Sequence, residues 1–340
     1  MNTERDRDQR RVMLVSRRPR PQRNYSMEAS FERLLEAFPD DRGFHLESFV
    51  SSYFSAGVVP RLRALSEVRR LRADVFHITG DVHFLAFGLP GENTILTIHD
   101  SVFMYKTRGM KRWLLRKVWL DGPVARVRFV TTVSTASKRD VIRFTGCDPD
   151  KVVVVPTVIS AAFQPRPRTF ERARARALHI GLGANKNFER HVTALAGLGC
   201  ELLIVGRLEP HHVALLERHG VPYQARHDLS TAEVVDAYAS VDVVLFASTF
   251  EGFGMPIVEG QSVGRPVITS NLSSMPEVAG TGACLVDPHD VGSIRTGLER
   301  ILDDACYRES LVASGFENAA RFSAARVAAQ YADLYDRACA

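Results

Sequence analysis

Short runs of apolar residues recur along the chain and alternate with segments in which apolar residues return every three or four positions. The runs are typical of strands buried on both faces, and the intervening segments are typical of helices packed against them. Strands are expected at 12–16, 74–77, 94–99, 129–134, 152–155, 177–181, 201–206, 243–247, 266–270 and 283–286, with helices at 27–38 and 324–340. So many buried strands exceed one open sheet, and the pattern therefore predicts an α/β protein with two parallel sheets.

One stretch between the two groups of strands lacks any clear period. Residues 159–176 contain Pro165, Pro167 and five arginines, a composition typical of a connection. We therefore expect an N-terminal domain of residues 1–160, a linker of residues 161–176 and a C-terminal domain of residues 177–322. Residues 323–340 are the final helical segment.

The composition is that of an ordinary globular protein. Apolar residues make up 45% and charged residues 24% of the 340 residues, which excludes a disordered, fibrous or disulfide-stapled chain as a global description. The five cysteines are scattered and never in CxxC spacing, so a reducing cytoplasm is favoured over a disulfide framework or a zinc site. No apolar run is long enough to span a membrane, and the first eleven residues lack the apolar core of a signal peptide.

The net charge of +5 is concentrated in three basic stretches, at 17–23, 61–72 and 106–117. A basic surface attracts nucleic acid, acidic lipid or phosphorylated substrates, and charge alone does not choose among them. The segment from Lys106 to Leu120 contains both tryptophans and fits either a helix lying on an anionic membrane or an ordinary surface helix. No nucleic-acid-binding module is visible in the sequence, so nucleic acid is not an expected partner.

The most informative segment is FASTFEGFGMPIVEG, residues 246–260. An apolar strand runs into a turn containing Gly252 and Gly254, and Pro256 suits the first turn of a helix. Free backbone N–H groups at such a helix start bind anions, phosphate especially. Glu251 precedes the helix and Glu259 lies about one turn inside it; two carboxylates can accept hydrogen bonds from sugar hydroxyls, although two isolated glutamates are more often solvated acids.

The two glutamates stand in a motif run that resembles a known family. EGFGMPIVEG, followed by GRPVITSN at 264–271 and MPEVAG at 275–280, is similar to the family-4 retaining glycosyltransferases of GT-B fold. TIHD at 97–100, VSxxSK at 133–138 and the loop 181–187, which ends in Lys-Asn, extend the resemblance over essentially the whole chain. It implies two Rossmann-like βα domains facing a central cleft, with residues 323–340 crossing back to the N-terminal domain.

The resemblance implies a role for each matching residue. Glu251 would hold hydroxyls of the donor sugar, Glu259 the ribose hydroxyls, and Lys186 would neutralise the diphosphate. His99 would face the transferred sugar from the other domain; the alternative is a hydrogen-bonded structural residue, which the placement of the motif disfavours. The catalytic set is thus His99, Glu251 and Lys186; the other expected donor-binding residues are Glu259, Gly254, Met255, Phe253, Gly252 and Asn187. The expected acceptor-side residues are Arg23, Asn24, Ser26 and Asp100.

Three positions depart from the family pattern. Leu182 stands where an arginine is common, so one phosphate cation is missing or comes from elsewhere. The first βα loop, 17–26, is long and basic instead of glycine-rich, and Arg23, Asn24 or Ser26 could replace the usual backbone contacts. Thr157-Val158 replaces the usual Asn-Gly, which leaves the details of that loop open.

The resemblance implies transfer of a hexose with retention, from a nucleoside-diphosphate sugar of the GDP-mannose or UDP-glucose type. The acceptor would be a glycan or lipid-linked sugar in cell-surface polysaccharide or lipopolysaccharide synthesis. No DxD stands in a loop that follows a strand, and Asp148-Pro-Asp150 is turn-like. We therefore expect no metal and no other cofactor, in an enzyme that is cytoplasmic or peripheral on the inner face of the membrane. The alternatives are a nucleotide-sugar 2-epimerase, which the EGFGMPIVE run disfavours, and a non-catalytic protein that binds nucleotide sugar or nucleic acid.

Overall fold

The computed structural model describes residues 9–18, 26–39 and 42–340. The chain divides into two compact units. The first consists of the chain up to Val158 together with Ala324–Ala340, and the second consists of Ile159–Ser323. The segment expected to be a linker packs on the second unit. Phe163 is buried there, and the Arg166 amide donates to the Val263 carbonyl.

The first unit contains a six-stranded sheet in the order β2-β1-β3-β4-β5-β6, with every pair parallel. Its strands are β1 (Arg10–Ser16), β2 (Phe44–Val50), β3 (Val75–Ile78), β4 (Thr94–Ile98), β5 (Phe129–Thr132) and β6 (Val152–Val154). Its helices are α1 (Ser26–Ala37), α2 (Val58–Val68), α3 (Val102–Lys106), α4 (Gly109–Arg116), α5 (Gly122–Arg126), α6 (Thr135–Thr145) and α14 (Ala324–Cys339).

The second unit contains another six-stranded parallel sheet, in the order β12-β11-β10-β7-β8-β9. Its strands are β7 (Arg176–Ile180), β8 (Glu201–Val205), β9 (Tyr223–Arg226), β10 (Val243–Phe246), β11 (Val267–Ser270) and β12 (Ala283–Val286). Its helices are α7 (Phe188–Leu195), α8 (Pro210–Arg218), α9 (Thr231–Ala239), α10 (Met255–Val263), α11 (Met275–Ala279), α12 (Val291–Asp303) and α13 (Ala305–Ala319).

The two sheets confirm the predicted fold class and every predicted strand, but β2 and β9 were missed. Both are edge strands: β2 lies beside β1 alone, and β9 beside β8 alone. Three of the four residues of β9 are exposed, and exposed positions recur along β2. An edge strand has less surface to bury, so it lacks the continuous apolar run that marks the central strands.

The central strands are apolar because both faces of each sheet are covered. In β1, Val12 and Leu14 pack into a cluster that includes α1 and α14, whereas Met13 and Val15 pack into a second cluster with α2. Successive side chains of a strand point to opposite faces, so each strand must supply apolar residues at odd and even positions alike. This requirement produces the runs seen in the sequence.

A buried polar chain joins the last helix to the first sheet. The Nδ1 atom of His77 lies 2.9 Å from the Tyr335 hydroxyl of α14, and its Nε2 atom lies 2.7 Å from Oγ1 of Thr97. Thr97 in turn lies 2.6 Å from the hydroxyl of Thr131. Burial lowers the pKa of His77 to about 3, with a smaller contribution from His99. His77 is therefore a neutral, hydrogen-bonded structural residue of β3.

The segment from Lys106 to Leu120 is not a single helix. It contains the end of α3, then α4, then a π-helical turn at Lys117–Asp121. Trp113 is exposed, but Leu120 is fully buried, and the Trp119 ring lies 5.5 Å from that of Phe84. Only the α4 part of the segment therefore presents an apolar surface outward.

Candidate active site

The topology of the second sheet brings two loops together. From β7 the chain moves outward through β8 and β9, then returns to β10 and moves outward on the other side through β11 and β12. The loops that follow β7 and β10 therefore flank the switch point, where parallel α/β sheets bind ligands. The Thr249 amide donates to the Asn185 carbonyl at 2.8 Å, which joins the two loops directly.

Lys186 and Glu251 form an ion pair at this switch point. The Lys186 ammonium donates to Oε1 of Glu251 at 2.7 Å, and the side chains are 22% and 14% exposed. The Asn185 amide donates to the same oxygen at 3.1 Å, and the Lys186 nitrogen lies 4.6 Å from the centre of the Phe246 ring. A partly buried cation and carboxylate are thus held side by side, with an aromatic face against the cation.

The backbone of Glu251 is also held in place. Its carbonyl accepts hydrogen bonds from the hydroxyls of Ser273 at 2.6 Å and Ser274 at 3.0 Å. The Ser274 hydroxyl also lies 2.8 Å from the Phe253 carbonyl. These contacts anchor the loop between β10 and α10 to the segment before α11, so the position of the Glu251 carboxylate does not depend on the ion pair alone.

Glu259 lies inside α10 and is oriented by a buried tyrosine of α9. The Tyr238 hydroxyl donates to Oε2 of Glu259 at 2.6 Å. Burial, and then the neighbouring Glu259 charge, raise the pKa of Tyr238 well above its usual value. The phenol therefore stays protonated and remains a donor, so one oxygen of Glu259 is held in a defined direction.

The start of α10 requires glycine. Gly254 has φ +108, and a Cβ atom there would approach the side chain of Ile257 to 3.0 Å. Met255 and Gly252 are partly exposed at this turn, whereas Phe253 is buried with its ring 5.4 Å from that of Phe322. Gly252, Gly254 and Met255 thus place backbone at the helix start, while Phe253 anchors it.

Asn187 joins three loops of the second unit. It adopts a left-handed conformation with φ 61 and is 5% exposed. Its amide donates to the carbonyls of Ala247 at 3.0 Å and Pro288 at 2.7 Å, and its oxygen accepts from Arg190 at 3.0 Å. This side chain therefore shapes the Lys186 turn from beneath.

His99 lies in the first unit, directly after β4. Its Nε2 atom is 2.9 Å from the Thr79 carbonyl, which requires a proton on Nε2 and leaves Nδ1 bare in the neutral ring. Burial lowers the pKa of His99, although the Thr79 carbonyl opposes that effect. The Ser137 hydroxyl donates to the His99 carbonyl at 3.1 Å, which explains why the VSxxSK helix start accompanies the histidine. His99 is neutral and has a defined tautomer.

The other residues expected on the acceptor side lie in the first unit, around the start of α1 and after β4. Arg23 and Asn24 lie outside the described residues. Ser26 begins α1, but its side chain is also outside them. Oδ1 of Asp100 accepts from the Val102 amide at 2.9 Å, so Asp100 shapes the start of α3.

Sequence reasoning missed the residues that position the carboxylates. Asn185, Ser273 and Ser274 are short polar residues in loops that follow strands, a signal that could have identified them as loop anchors. Tyr238 lies in an apolar helix and gives no such signal. Arg265 was also missed: it is 4% exposed and donates to the carbonyls of Tyr238, Ala239, Gly264 and Arg166.

The described part of the chain lacks two features that would bear on its function. It contains no group of three or more His, Cys, Asp or Glu side chains arranged to hold a metal ion. None of its helices is both long and apolar enough to traverse a bilayer.

Comparison with known proteins identifies the class. The model of the Glycosyltransferase Family 4 domain matches residues 7–163, and that of the Glycosyl transferases group 1 domain matches residues 176–304. Solved structures with the same GT-B fold include sucrose-phosphate synthase from Thermosynechococcus elongatus, with a TM-score of 0.76, 16% identity and coverage of 97% of this chain and 99% of that one. This chain belongs to glycosyltransferase family 4 and is a glycosyltransferase of GT-B fold.

Individual relatives are similar over most of the chain. The MMP alpha-(1->4)-mannosyltransferase of Mycolicibacterium hassiacum is 30% identical, over 87% of this chain and 79% of the relative. The O-antigen chain mannosyltransferase B of Escherichia coli is 28% identical, over 68% and 67%. Anabaena HepE, solved in complex with UDP and glucose, shares the fold with a TM-score of 0.77 at 14% identity, covering 96% of this chain and 100% of that one.

Proposed function

We propose that this protein transfers a hexose, mannose in the first instance, from a nucleoside-diphosphate sugar to a glycan or lipid-linked acceptor, with retention and without a metal ion. The observation that carries the proposal is the Lys186–Glu251 pair at the switch point of the second sheet. Mannose is preferred because the relatives from M. hassiacum and E. coli are named as mannosyltransferases. The UDP complexes of HepE make a uridine nucleotide the second choice.

The chemistry follows from charge. As the bond between the anomeric carbon and the diphosphate breaks, negative charge grows on the leaving group. Lys186 and the N–H groups at the start of α10 oppose that charge, and such preorganised donors are often the largest catalytic term. When the diphosphate competes for Lys186, Glu251 becomes available to accept hydrogen bonds from hydroxyls of the donor sugar. Glu259, held by Tyr238, accepts hydrogen bonds from the ribose hydroxyls. His99 contributes a bare Nδ1 atom as a neutral hydrogen-bond acceptor for the transferred sugar.

A panel of nucleotide sugars tests this function. Purified protein is incubated with GDP-mannose, UDP-glucose and related donors, with and without lipid extract, and release of nucleoside diphosphate is measured beside ligand-induced shifts in Tm. We expect the largest shift and release with GDP-mannose, unchanged release in EDTA, and an axial linkage in the product by NMR. Rearranged free sugar in the absence of any acceptor would instead indicate an epimerase.

A lipid-linked acceptor is supported by two exposed apolar surfaces on the first unit. On α4, Met110, Trp113 and Leu114 are 77%, 55% and 56% exposed and lie at helical spacing on one face. On α2, Val58, Val59 and Leu62 are 70%, 58% and 59% exposed. The basic side chains beside these surfaces are Lys106, Arg108, Lys111 and Arg112 around α4, and Arg61 and Arg63 on α2.

Apolar side chains rimmed by cations fit an anionic bilayer, because lipid tails cover the apolar groups while headgroups neutralise the charge. Arg61 lies over the Trp119 ring, 4.7 Å from its centroid, so α2 and the turn that follows α4 are direct neighbours. We therefore expect both helices to contribute to membrane binding.

Vesicle sedimentation tests this surface. Wild-type protein should bind vesicles containing phosphatidylglycerol and release them in high salt, and Trp113→Ser or Leu62→Ser should each weaken binding several-fold. Leu285→Ser, at an exposed position of the second unit, is the matched control. Equal binding to neutral vesicles in high salt, or concentration-dependent dimerisation without vesicle binding, would contradict the proposal.

A further inference from the structure

Two buried histidines face each other beneath the Lys186 turn. His179 lies on β7 and His191 on α7, and both are at most 1% exposed. Their Nδ1 atoms are 2.9 Å apart. The Nε2 atom of His179 lies 2.7 Å from the Gly181 carbonyl, and that of His191 lies 3.3 Å from the Ala247 carbonyl. These carbonyls belong to the loops that follow β7 and β10, which carry Lys186 and Glu251.

The number of protons available does not match the number of contacts. Each of the three contacts joins two electronegative atoms and needs one proton between them, because neither a carbonyl oxygen nor a bare ring nitrogen can donate. Two neutral imidazoles carry two N–H protons in total. Three N–H protons, and one positive charge, are needed to satisfy all three contacts.

The distances indicate which contact lacks a proton in the neutral pair. The contact of His179 with Gly181 is the shortest, so His179 carries its proton on Nε2. Its Nδ1 atom is then an acceptor, and His191 must donate from Nδ1. The Nε2 atom of His191 is left bare, facing the Ala247 carbonyl at the longest of the three distances. The third proton therefore has a defined position, on Nε2 of His191.

The surroundings keep the pair neutral until negative charge arrives. Burial lowers the pKa of His191 to about 4, and burial together with His191 lowers that of His179 well below its usual value. The hydrogen bond to the Gly181 carbonyl acts in the opposite direction, and the other titratable groups that act on His179 among the described residues, Lys186 from the turn and His212 from α8, both oppose an added positive charge.

A bound diphosphate would favour the protonated form of the histidine pair over the neutral form. Two phosphates beside Lys186 bring negative charge to a site with little water, where charges interact strongly. Leu182 occupies the position at which a cation could have met this charge, and it packs against the apolar core.

We propose that the His179–His191 pair takes up one proton from solvent when a nucleoside diphosphate binds, with Nε2 of His191 as the protonated atom. This inference rests on the proposed function. The pair then donates to both carbonyls and places a positive charge behind the phosphate-binding turn. His179 and His191 are positioning residues, because they act through the loops and through charge.

Calorimetry measures this proton directly. GDP, and separately UDP, is titrated into the protein at pH 6.5 in buffers of different ionisation enthalpy, and the dependence of binding heat on that enthalpy gives the number of protons taken up. His191→Gln supplies a permanent N–H donor near the Ala247 carbonyl and cannot gain a proton. Wild type should take up several tenths of a proton to about one proton more than His191→Gln. His45→Asn, which removes an exposed histidine of the first unit, should behave like wild type.

The outcomes separate this inference from the function on which it rests. If neither nucleotide binds, the proposed function fails. If nucleotide binds and wild type and His191→Gln take up the same number of protons, the function stands and the proton-uptake inference is wrong. Should His191→Gln fail to fold, ¹⁵N-histidine NMR of wild type decides: GDP should convert one imidazole pair to a form with three N–H protons, and unchanged ring nitrogen shifts would overturn the proposal.

Discussion

Both sheets are six-stranded and parallel, but they differ in strand order and in the chemistry at their switch points. In the second, between β7 and β10, the loops carry an ion pair, Lys186–Glu251, and beneath them a histidine pair one proton short of full hydrogen bonding. In the first, the switch point lies between β1 and β3, and His99 reaches the Thr79 carbonyl that follows β3 as a neutral ring of defined tautomer. Under the proposed function, this difference predicts a division of labour: charged groups of the second unit would meet the diphosphate, and the neutral histidine of the first unit would act as a hydrogen-bond acceptor.

The largest effect is expected from removing the cation of the second switch point. Lys186→Ala should lower kcat/KM by about 10²-fold or more, because charge on the departing diphosphate is no longer opposed. Nucleoside diphosphate release measures it. Lys151→Ala, which removes a lysine of the first unit, is the control. If both variants retained full activity, the assignment of diphosphate chemistry to the second switch point would be wrong.

A smaller effect is expected from the ribose-side carboxylate. Glu259→Ala should weaken GDP binding by about 10- to 100-fold, the range for hydrogen bonds to a charged group. Tyr238→Phe should weaken it less, because the carboxylate remains but loses its orienting donor. Calorimetric affinities of both variants test the ordering. Equal affinities in wild type and Glu259→Ala would remove Glu259 from the nucleotide site.

The first switch point should behave differently. His99→Gln should lower turnover by about 10-fold through loss of a hydrogen bond while leaving GDP affinity within about twofold of wild type, a difference below 0.5 kcal/mol. Parallel measurements of kcat and GDP affinity on one preparation test this split. A large loss of GDP affinity would contradict the division of labour.

The last prediction concerns stability and not activity, and it applies to a property that the two units share. Burial lowers the pKa of His77 to about 3 and that of His191 to about 4. In the unfolded chain these two histidines bind a proton near pH 6.5, whereas in the folded chain they bind one only near these lower pH values. The contribution of these neutral histidines to the free energy of unfolding is therefore fully present above about pH 6.5. It is lost as the pH falls toward 4, by at most about 1.4 kcal/mol per pH unit for each histidine.

Urea unfolding at pH 7.5, 6 and 5 measures this loss. His77→Gln should flatten the dependence, whereas His289→Asn, at an exposed position, should not. A free energy of unfolding that rises as the pH falls would show that these histidines are charged in the native state.

Much of the fold could be predicted because the central strands are buried on both faces and must be apolar throughout. The edge strands β2 and β9 could not, since exposure removes that constraint. The site divides in the same way. Glu251 and Glu259 stand in one continuous motif, whereas Tyr238, Ser273 and Ser274 become their partners only when separate elements pack together.

The sequence by itself determined the class of the protein: two parallel sheets, a strand–turn–helix with a glutamate on either side of the helix start, and a lysine after the first strand of the second sheet. Burial and backbone geometry impose these patterns locally, so they can be read from neighbouring residues. Only the tertiary structure decided which side chains meet. The Lys186–Glu251 pair spans 65 positions, and a charge at that separation has a partner only after the chain has folded.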